Sequence, residues 1–268
     1  MKIQLEFIQA VIDIAENVAV FIQSHAGHVN DKQIITKDLN SLVSFVDTGS
    51  EKRIIEGLKK LTPEAGFLAE EGTEILADKE LVWIVDPLDG TTNFLHQIPT
   101  YAISIALQYQ NEIIFGLVYE VNRKDCFYAV KGQGAFLNGN KIHVNTSSFS
   151  DSLIATGFPY YDFSKIKVYL GVLEELMKST RGIRRLGAAS VDLVYVACGK
   201  FNGFFEYSLA PWDVAAGAII VKEAGGIVTD FNGTQDWLHG KSIVVGSPIV
   251  QIKLLEIIQN NSKKLSLI

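Results

Sequence analysis

The segment Trp83 to Phe94, WIVDPLDGTTNF, places Asp86 and Asp89 directly after an apolar run and follows them with Gly90, Thr91 and Thr92. The run LVWIV has the length and side chains of a short strand, which delivers Asp86 at its C-terminal end. Pro87 fixes the backbone direction, and Asp89-Gly90 turns the chain into a segment led by Thr91, Thr92 and Asn93, all residues that cap helix N-termini. Turn and capping chemistry accounts for any one of these residues but not for both carboxylates. One carboxylate suffices for a cap, and two beside an apolar strand repel one another unless a cation lies between them. Oxygen donors with no histidine or cysteine among them select Mg²⁺, with Mn²⁺ as a substitute, over zinc. Backbone amides of Gly90 and Thr91 at a helix start would place an anion site on the same wall.

A cation held there needs carboxylates from elsewhere in the chain. FLAEEGTE offers Glu70 and Glu71 at the end of a predicted strand, and PWDVAAGAIIVKEAGG offers Asp213 at the start of a predicted helix. Taken singly, the first is an ordinary turn acid and the second an ordinary helix cap.

The surrounding pattern is that of a folded chain with a large core: 48% of its 268 residues are hydrophobic, and the six prolines are scattered. Apolar spacing predicts a helix from about Ile3 to Ser24 and a second from about Thr48 to Leu61, stopped by Pro63. The stretch KDLNSLVSFVD between them is partly strand-like, and periodicity alone does not assign it. From Gly66 to Val130 short β-rich runs with polar turns predict antiparallel neighbours, and Asn138-Gly139 predicts a type I′ hairpin. The polar stretch NTSSFSDS, Asn145 to Ser152, divides the chain into an N-terminal α+β half (1–148) carrying most metal ligands and a C-terminal α/β half (149–268) of alternating strands and helices.

With 24 basic and 30 acidic side chains the formal charge is −6, and no dense lysine or arginine block is present, so nucleic acid is a poor partner. Arg181, Arg184 and Arg185 form the nearest basic cluster, read as a solvated face or a subunit contact. Cys126 and Cys198 stand far apart in apolar surroundings, which predicts free thiols in a reducing, cytoplasmic compartment. Glu6, Asp13 and Glu16 interrupt the N-terminal apolar stretch, which excludes a signal peptide or membrane span there.

The three acidic segments together resemble the inositol-monophosphatase-like, metal-dependent, lithium-sensitive phosphatases. The resemblance rests on AEEG (Ala69 to Gly72), WIVDPLDGTTNF and WDVAAGAIIVKEAGG (Trp212 to Gly226), supported by GLVYEV, GQGAFLNGNKI, ATGFP and RRLGAASVDLVYVACG, from about Lys37 onward. It implies a layered αβαβα sandwich and a homodimer. It further implies two or three Mg²⁺ ions held by Glu70, Asp86, the Leu88 carbonyl, Asp89 and Asp213. Glu70 and Thr91 would activate a water, and Asp86 would take part in catalysis as a ligand. The Gly90 and Thr91 amides beside Asp89 would receive the phosphate, and Gly187, Ala188, Ala189 and Glu206 would contact the alcohol. Asp47 and Lys37 align with outer-shell positions, and His96 reads as a polar packing residue rather than a general acid.

The implied reaction is hydrolysis of a small-molecule phosphate monoester, with myo-inositol 1-phosphate leading. Fructose 1,6-bisphosphate, 3′-phosphoadenosine 5′-phosphate and the 2′-phosphate of NADP are the alternatives. A nucleophilic-aspartate phosphatase is disfavoured because two residues rather than one separate the aspartates. Some relatives associate with transcription or RNA-processing machinery, so a partner-binding protein with secondary catalysis is the rival reading.

Overall fold

The computed structural model describes residues 3–29, 34–38, 41–72, 74–75, 79–159 and 162–266. The chain opens with α1 (Leu5–His25), whose buried Ile8, Val11, Ala15, Val18, Ala19 and Ile22 recur at three and four. The KDLNSLVSFVD stretch resolves into β1 (Ile34–Asp38) and β2 (Ser41–Ser44), an antiparallel pair, followed by α2 (Phe45–Leu61). The last starts three residues ahead of the predicted Thr48 because Ser44 and Asp47 close a capping box. The Ser44 amide donates to Asp47 Oδ2 at 2.8 Å, and the Val46 amide donates to Ser44 Oγ at 3.1 Å.

An eight-stranded sheet follows, built from β3 (Gly66–Ala69), β4 (Glu74–Ile75), β5 (Leu81–Asp89), β6 (Ala102–Tyr109), β7 (Glu112–Glu120), β8 (Asp125–Val130), β9 (Gly134–Leu137) and β10 (Asn140–Ile142). Its order is β10-β9-β8-β7-β6-β5-β3-β4, and every pair is antiparallel except β3 with β5. The Asn138-Gly139 turn joins β9 to β10 with φ of 49° and 78°, the left-handed pair that a type I′ turn requires. A one-turn helix, α3 (Thr91–Leu95), leaves the end of β5.

The second sheet contains β11 (Leu153–Thr156), β12 (Gly182–Arg184), β13 (Gly203–Tyr207), β14 (Ile227–Thr229) and β15 (Ser242–Gly246) in the order β12-β11-β13-β15-β14. β11 runs parallel to β12 and β13, and β15 runs antiparallel to β13 and β14. Four helices belong to this part: α4 (Ile166–Ser179), α5 (Ala189–Ala197), α6 (Pro211–Glu223) and α7 (Pro248–Ser266).

Strand alternation sorts these elements into five layers. Along β5, Leu81, Trp83 and Val85 join the core shared with α1 and α2, whereas Val82 and Ile84 join the core shared with α5 and α6. The far face of the second sheet is covered by α4 and α7 through Ile154, Phe205, Val244, Leu176 and Leu254. The order is therefore helices, eight-stranded sheet, helices, five-stranded sheet, helices: an αβαβα sandwich. α6 is the central member, apolar on every side because both sheets press on it. It sits close to the larger sheet because the facing residues are small: Ala102 and Ala106 on β6, and Gly116 on β7. A Cβ at Gly116 would stand 2.5 Å from Ile219 Cγ2 and 2.7 Å from the Ala216 carbonyl oxygen. Gly116→Ala should therefore lower stability by about 1–3 kcal/mol, read as a lower urea midpoint with an unchanged slope; an unchanged midpoint would show that α6 has room to move.

Candidate active site

Three element ends converge on one cleft. β3 and β5 run parallel with Ala69 beside Val85, and the Glu70 amide donates to the Val85 carbonyl at 3.2 Å, so Glu70 emerges next to Asp86. Along β5, Asp86 pairs with Ser104 and Asp89 with Ala102, so three steps on one strand oppose two on the other. That is a β-bulge, and it decides where the carboxylates point. Residues three apart in a regular strand face opposite sides; the extra residue cancels the parity, and Asp86 and Asp89 line the same cleft. The strand therefore does not end at Asp86 as its apolar run predicts. It continues through Pro87, whose missing N–H is tolerated in a bulge.

Asp213 is the third residue of α6, and its Oδ2 accepts the Ala210 amide at 2.7 Å. The same turn is pinned to the sheet by Ser104, which pairs with Asp86 and donates from Oγ to the Trp212 carbonyl at 3.1 Å. Asp89 Oδ2 accepts the Ser190 amide at 2.7 Å and the Ser190 hydroxyl, tying β5 to the start of α5. Asp86 Oδ1 accepts the Leu88 amide at 2.9 Å. Each of these three aspartates thus has an oxygen fixed by a backbone amide.

Thr91, Thr92 and Asn93 do not cap α3 as their residue types predict. Gly90 holds the cap position at φ 92°, and a Cβ there would stand 3.0 Å from the Thr100 carbonyl oxygen. The Thr91 hydroxyl is instead set between Asp47 Oδ1 at 2.8 Å and the Leu88 carbonyl at 3.0 Å. Asn93 donates to the carbonyls of Thr100 and Leu186, both at 2.8 Å, and so carries the segment 186–189 to the site.

The resulting cleft has a volume of about 200 Å³. Glu70, Asp86, Leu88, Asp89, Gly90, Thr91, Gly187, Ala188, Ala189, Glu206 and Asp213 all line it, joined by Asp192 and Arg185. Asp47 lies behind Thr91, 1% exposed. Lys37 is on β1, and its side chain falls outside the described residues. His96 is exposed at the C-terminal end of α3, away from the cleft lining. The arginine cluster divides: Arg181 pairs with Asp151 on the surface, Arg184 is exposed, and Arg185 reaches the cleft. Ser104, Ser190 and Asp192 escape a reading of the sequence. The serines look like ordinary strand and helix residues, and Asp192 is a lone acid in an apolar helix.

A family model described as the inositol monophosphatase family matches residues 4–263. The chain belongs to the inositol monophosphatase family. It is 43% identical to an inositol-1-monophosphatase from Rhizobium meliloti, with 94% of each chain covered. It is 41% identical to the Nus factor SuhB of Pseudomonas aeruginosa, over 83% of this chain and 84% of the relative. The crystal structure of the extragenic suppressor protein SuhB from Bartonella henselae matches with a TM-score of 0.90 at 40% identity, covering 94% of this chain and 97% of that one.

In this inositol monophosphatase family member the cleft carboxyls disfavour their own ionisation. Burial pushes Asp86 well above the usual carboxylate range, and Glu70, Asp89 and Asp213 add repulsion. The side chain of Glu70 beside it raises Asp86 further. Asp213 is pushed up to about 7 by burial and then by Asp89. Burial raises Asp89 against the opposing Ser190 bonds, and raises Asp47 against bonds from Ser44 and Thr91. Glu206 and Asp192 are driven well up by burial and by neighbouring acids, with Arg185 opposing. Asp192 Oδ1 is buried without a hydrogen-bond partner. Among the described residues, no three acidic, histidine or cysteine side chains close around a single point as a finished cation cage.

Carboxyls raised in this way bind protons more tightly folded than unfolded, so their contribution to stability is greatest at low pH and is lost as pH rises. For Asp213 that interval runs from about 3.8 to about 7. The thermal midpoint of the chelator-treated protein should fall across it. A midpoint insensitive to pH would mean that these groups are solvated.

Proposed function

We propose that this protein is a Mg²⁺-dependent phosphate monoester hydrolase whose leading substrate is myo-inositol 1-phosphate. The observation that carries the reading is the gathering of Glu70, Asp86, Asp89 and Asp213 in one cleft, where Arg185 is the one cationic side chain on the lining among the described residues. Acids so placed need protons or dications, and an all-oxygen donor set suits Mg²⁺, with Mn²⁺ as a substitute. Glu70, Asp86, the Leu88 carbonyl, Asp89 and Asp213 would hold two or three such ions. What these ions supply when bound is a water acidified toward neutrality and neutralisation of the phosphoryl oxygens.

The chain's own groups do the positioning. When the Thr91 hydroxyl donates to Asp47 Oδ1, its lone pairs are free to accept a proton from a water, so Thr91 with Asp47 behind it forms a relay beside Glu70. The Ser44 bonds hold Asp47 in the orientation that keeps this relay aligned. Gly90 and Thr91 amides receive the phosphate, and Gly187, Ala188, Ala189 and Glu206 meet the alcohol. Asp86 is a ligand rather than a nucleophile, so no phospho-aspartate accumulates.

The activity belongs in the cytoplasm of a reducing cell, a reading supported by the two free thiols; burial pushes that of Cys126 up to about 12. Among the described residues no helix is long and apolar enough to cross a membrane. A homodimer is supported by Leu170 and Met177, exposed two turns apart on one face of α4. A protein-binding role is favoured by one observation, the description of the Pseudomonas relative as a Nus factor. The complete carboxyl set supports hydrolysis in addition to any such role.

Phosphate release should be measured with Mg²⁺, with and without lithium, on inositol 1-phosphate, fructose 1,6-bisphosphate, 3′-phosphoadenosine 5′-phosphate and NADP. Asp86→Asn should lose roughly a hundredfold or more in turnover; equality with wild type on every substrate would remove the site assignment. Thr91→Val and Asp47→Asn should each lower kcat by roughly 10²-fold with little change in KM. Their combination should cost hardly more than either alone, since they act as one unit; additive losses would separate them.

A further inference from the structure

A four-residue turn has two inner amides that its own closing bond does not use. In the turn Ala69-Glu70-Glu71-Gly72 the closing bond, from the Gly72 amide to the Ala69 carbonyl, is 3.4 Å long, and the inner amides are those of Glu70 and Glu71. The first donates to the Val85 carbonyl at 3.2 Å and continues the pairing of β3 with β5. The second donates to Glu51 Oε2 at 2.8 Å, across 20 positions of sequence. Both peptide units that flank the Glu70 Cα are thereby tied to other elements.

Glu51 lies on α2 one turn beyond Asp47, and both acids are buried. Residues four apart on a helix share a face, so α2 turns two carboxyl groups toward the cleft. Asp47 accepts the Thr91 hydroxyl at 2.8 Å, and Glu51 accepts the amide that follows Glu70. Burying a carboxyl group is costly unless its oxygens are bonded. Here the group meets an amide that the turn itself leaves unpaired. Ser50, beside Glu51 and equally buried, has a hydroxyl that makes no hydrogen bond, so a polar side chain on this face does not by itself reach the turn.

We propose that Glu51 is a positioning residue for Glu70: it fixes the peptide that follows Glu70, and with it the direction in which the Glu70 carboxyl enters the cleft. With Asp47 aligning Thr91, one turn of α2 then sets both groups assigned to the attacking water, which ties their spacing to a helix rather than to two loops. The effect on turnover deepens the proposed hydrolase reading and rests on it, whereas the holding of the turn does not.

Amide exchange should be followed by NMR on the intact protein, in wild type and in Glu51→Gln, Glu51→Leu and Ser50→Ala. The Glu71 amide should exchange slowly in wild type, in Ser50→Ala, and in Glu51→Gln, which keeps an acceptor oxygen at the same reach. Glu51→Leu should speed exchange at Glu71 roughly tenfold or more and leave β5 unchanged, which separates a loosened turn from a loosened fold. On a panel substrate that the protein hydrolyses, Glu51→Leu should lower kcat roughly 10- to 100-fold with little change in KM, and Glu51→Gln should restore most of the loss. In a Glu70→Gln background, Glu51→Leu should add hardly any further loss, because the group it aims is gone. Should Glu51→Leu fail to fold, Glu51→Asp, which withdraws the oxygen by one methylene, takes its place with the same expectations. Fast exchange at Glu71 in wild type, or unchanged exchange in the variant, would overturn the proposal. So would a loss of equal size with and without the Glu70 carboxyl, which would make Glu51 a support of the fold alone. No turnover by wild type on any substrate would count against the hydrolase reading, and the exchange comparison would still decide whether Glu51 holds the turn.

Discussion

Repulsion among buried carboxyl groups is the condition that the rest of this structure satisfies. Asp86, Asp89 and Asp213 have lost most of their hydration and face one another and Glu70 across a narrow cleft. Such groups would swing apart if their side chains were free. They are instead fixed by backbone amides, those of Leu88, Ser190 and Ala210, each of which takes up one oxygen. The bonds that restrain the acids also join β5 to α5 and set the first turn of α6, so the ends of these elements are anchored through the same atoms that give the cleft its chemistry.

The five-layer arrangement explains how acids from positions 70, 86, 89 and 213 meet. Glu70 and Asp86 are brought together by one parallel pairing in an otherwise antiparallel sheet, since only parallel neighbours place their C-terminal ends side by side. Asp213 arrives because α6 is sandwiched between the two sheets and its first turn is held by Ser104, the partner of Asp86 in the ladder. The opposite wall, with Glu206 and Asp192, is delivered by the second sheet and α5.

What can be read from the sequence is what local chemistry controls. Strand β5, helix α6 and the Asn138-Gly139 hairpin announce themselves through apolar runs, periodicity and turn residues, and the acidic motifs mark the residues that line the cleft. Features that depend on a distant partner are hidden. The bulge between Asp86 and Asp89 exists only relative to β6, and the Thr91 contact with Asp47 spans 44 positions. Ser44 and Asp47 conceal their capping box because the apolar Phe45 and Val46 between them read as strand. β15 enters its sheet between β13 and β14 after every other strand has been traced, and its position follows from pairing rather than from its own side chains. Asp192 carries no local signal at all: its burial beside Glu206 comes from the packing of α5.

The tight seat of α6 has a consequence beyond packing. Its separation from the larger sheet is fixed by the small side chains of Ala102, Ala106 and Gly116, and its first turn bears Asp213. The helix therefore acts as a spacer gauge: the thickness of an apolar layer is translated directly into the gap between acids on opposite sides of the cleft. Residues with no chemistry of their own thus set how far apart those acids stand, and a methyl group added deep in the interior would be registered at the surface as a change in that spacing.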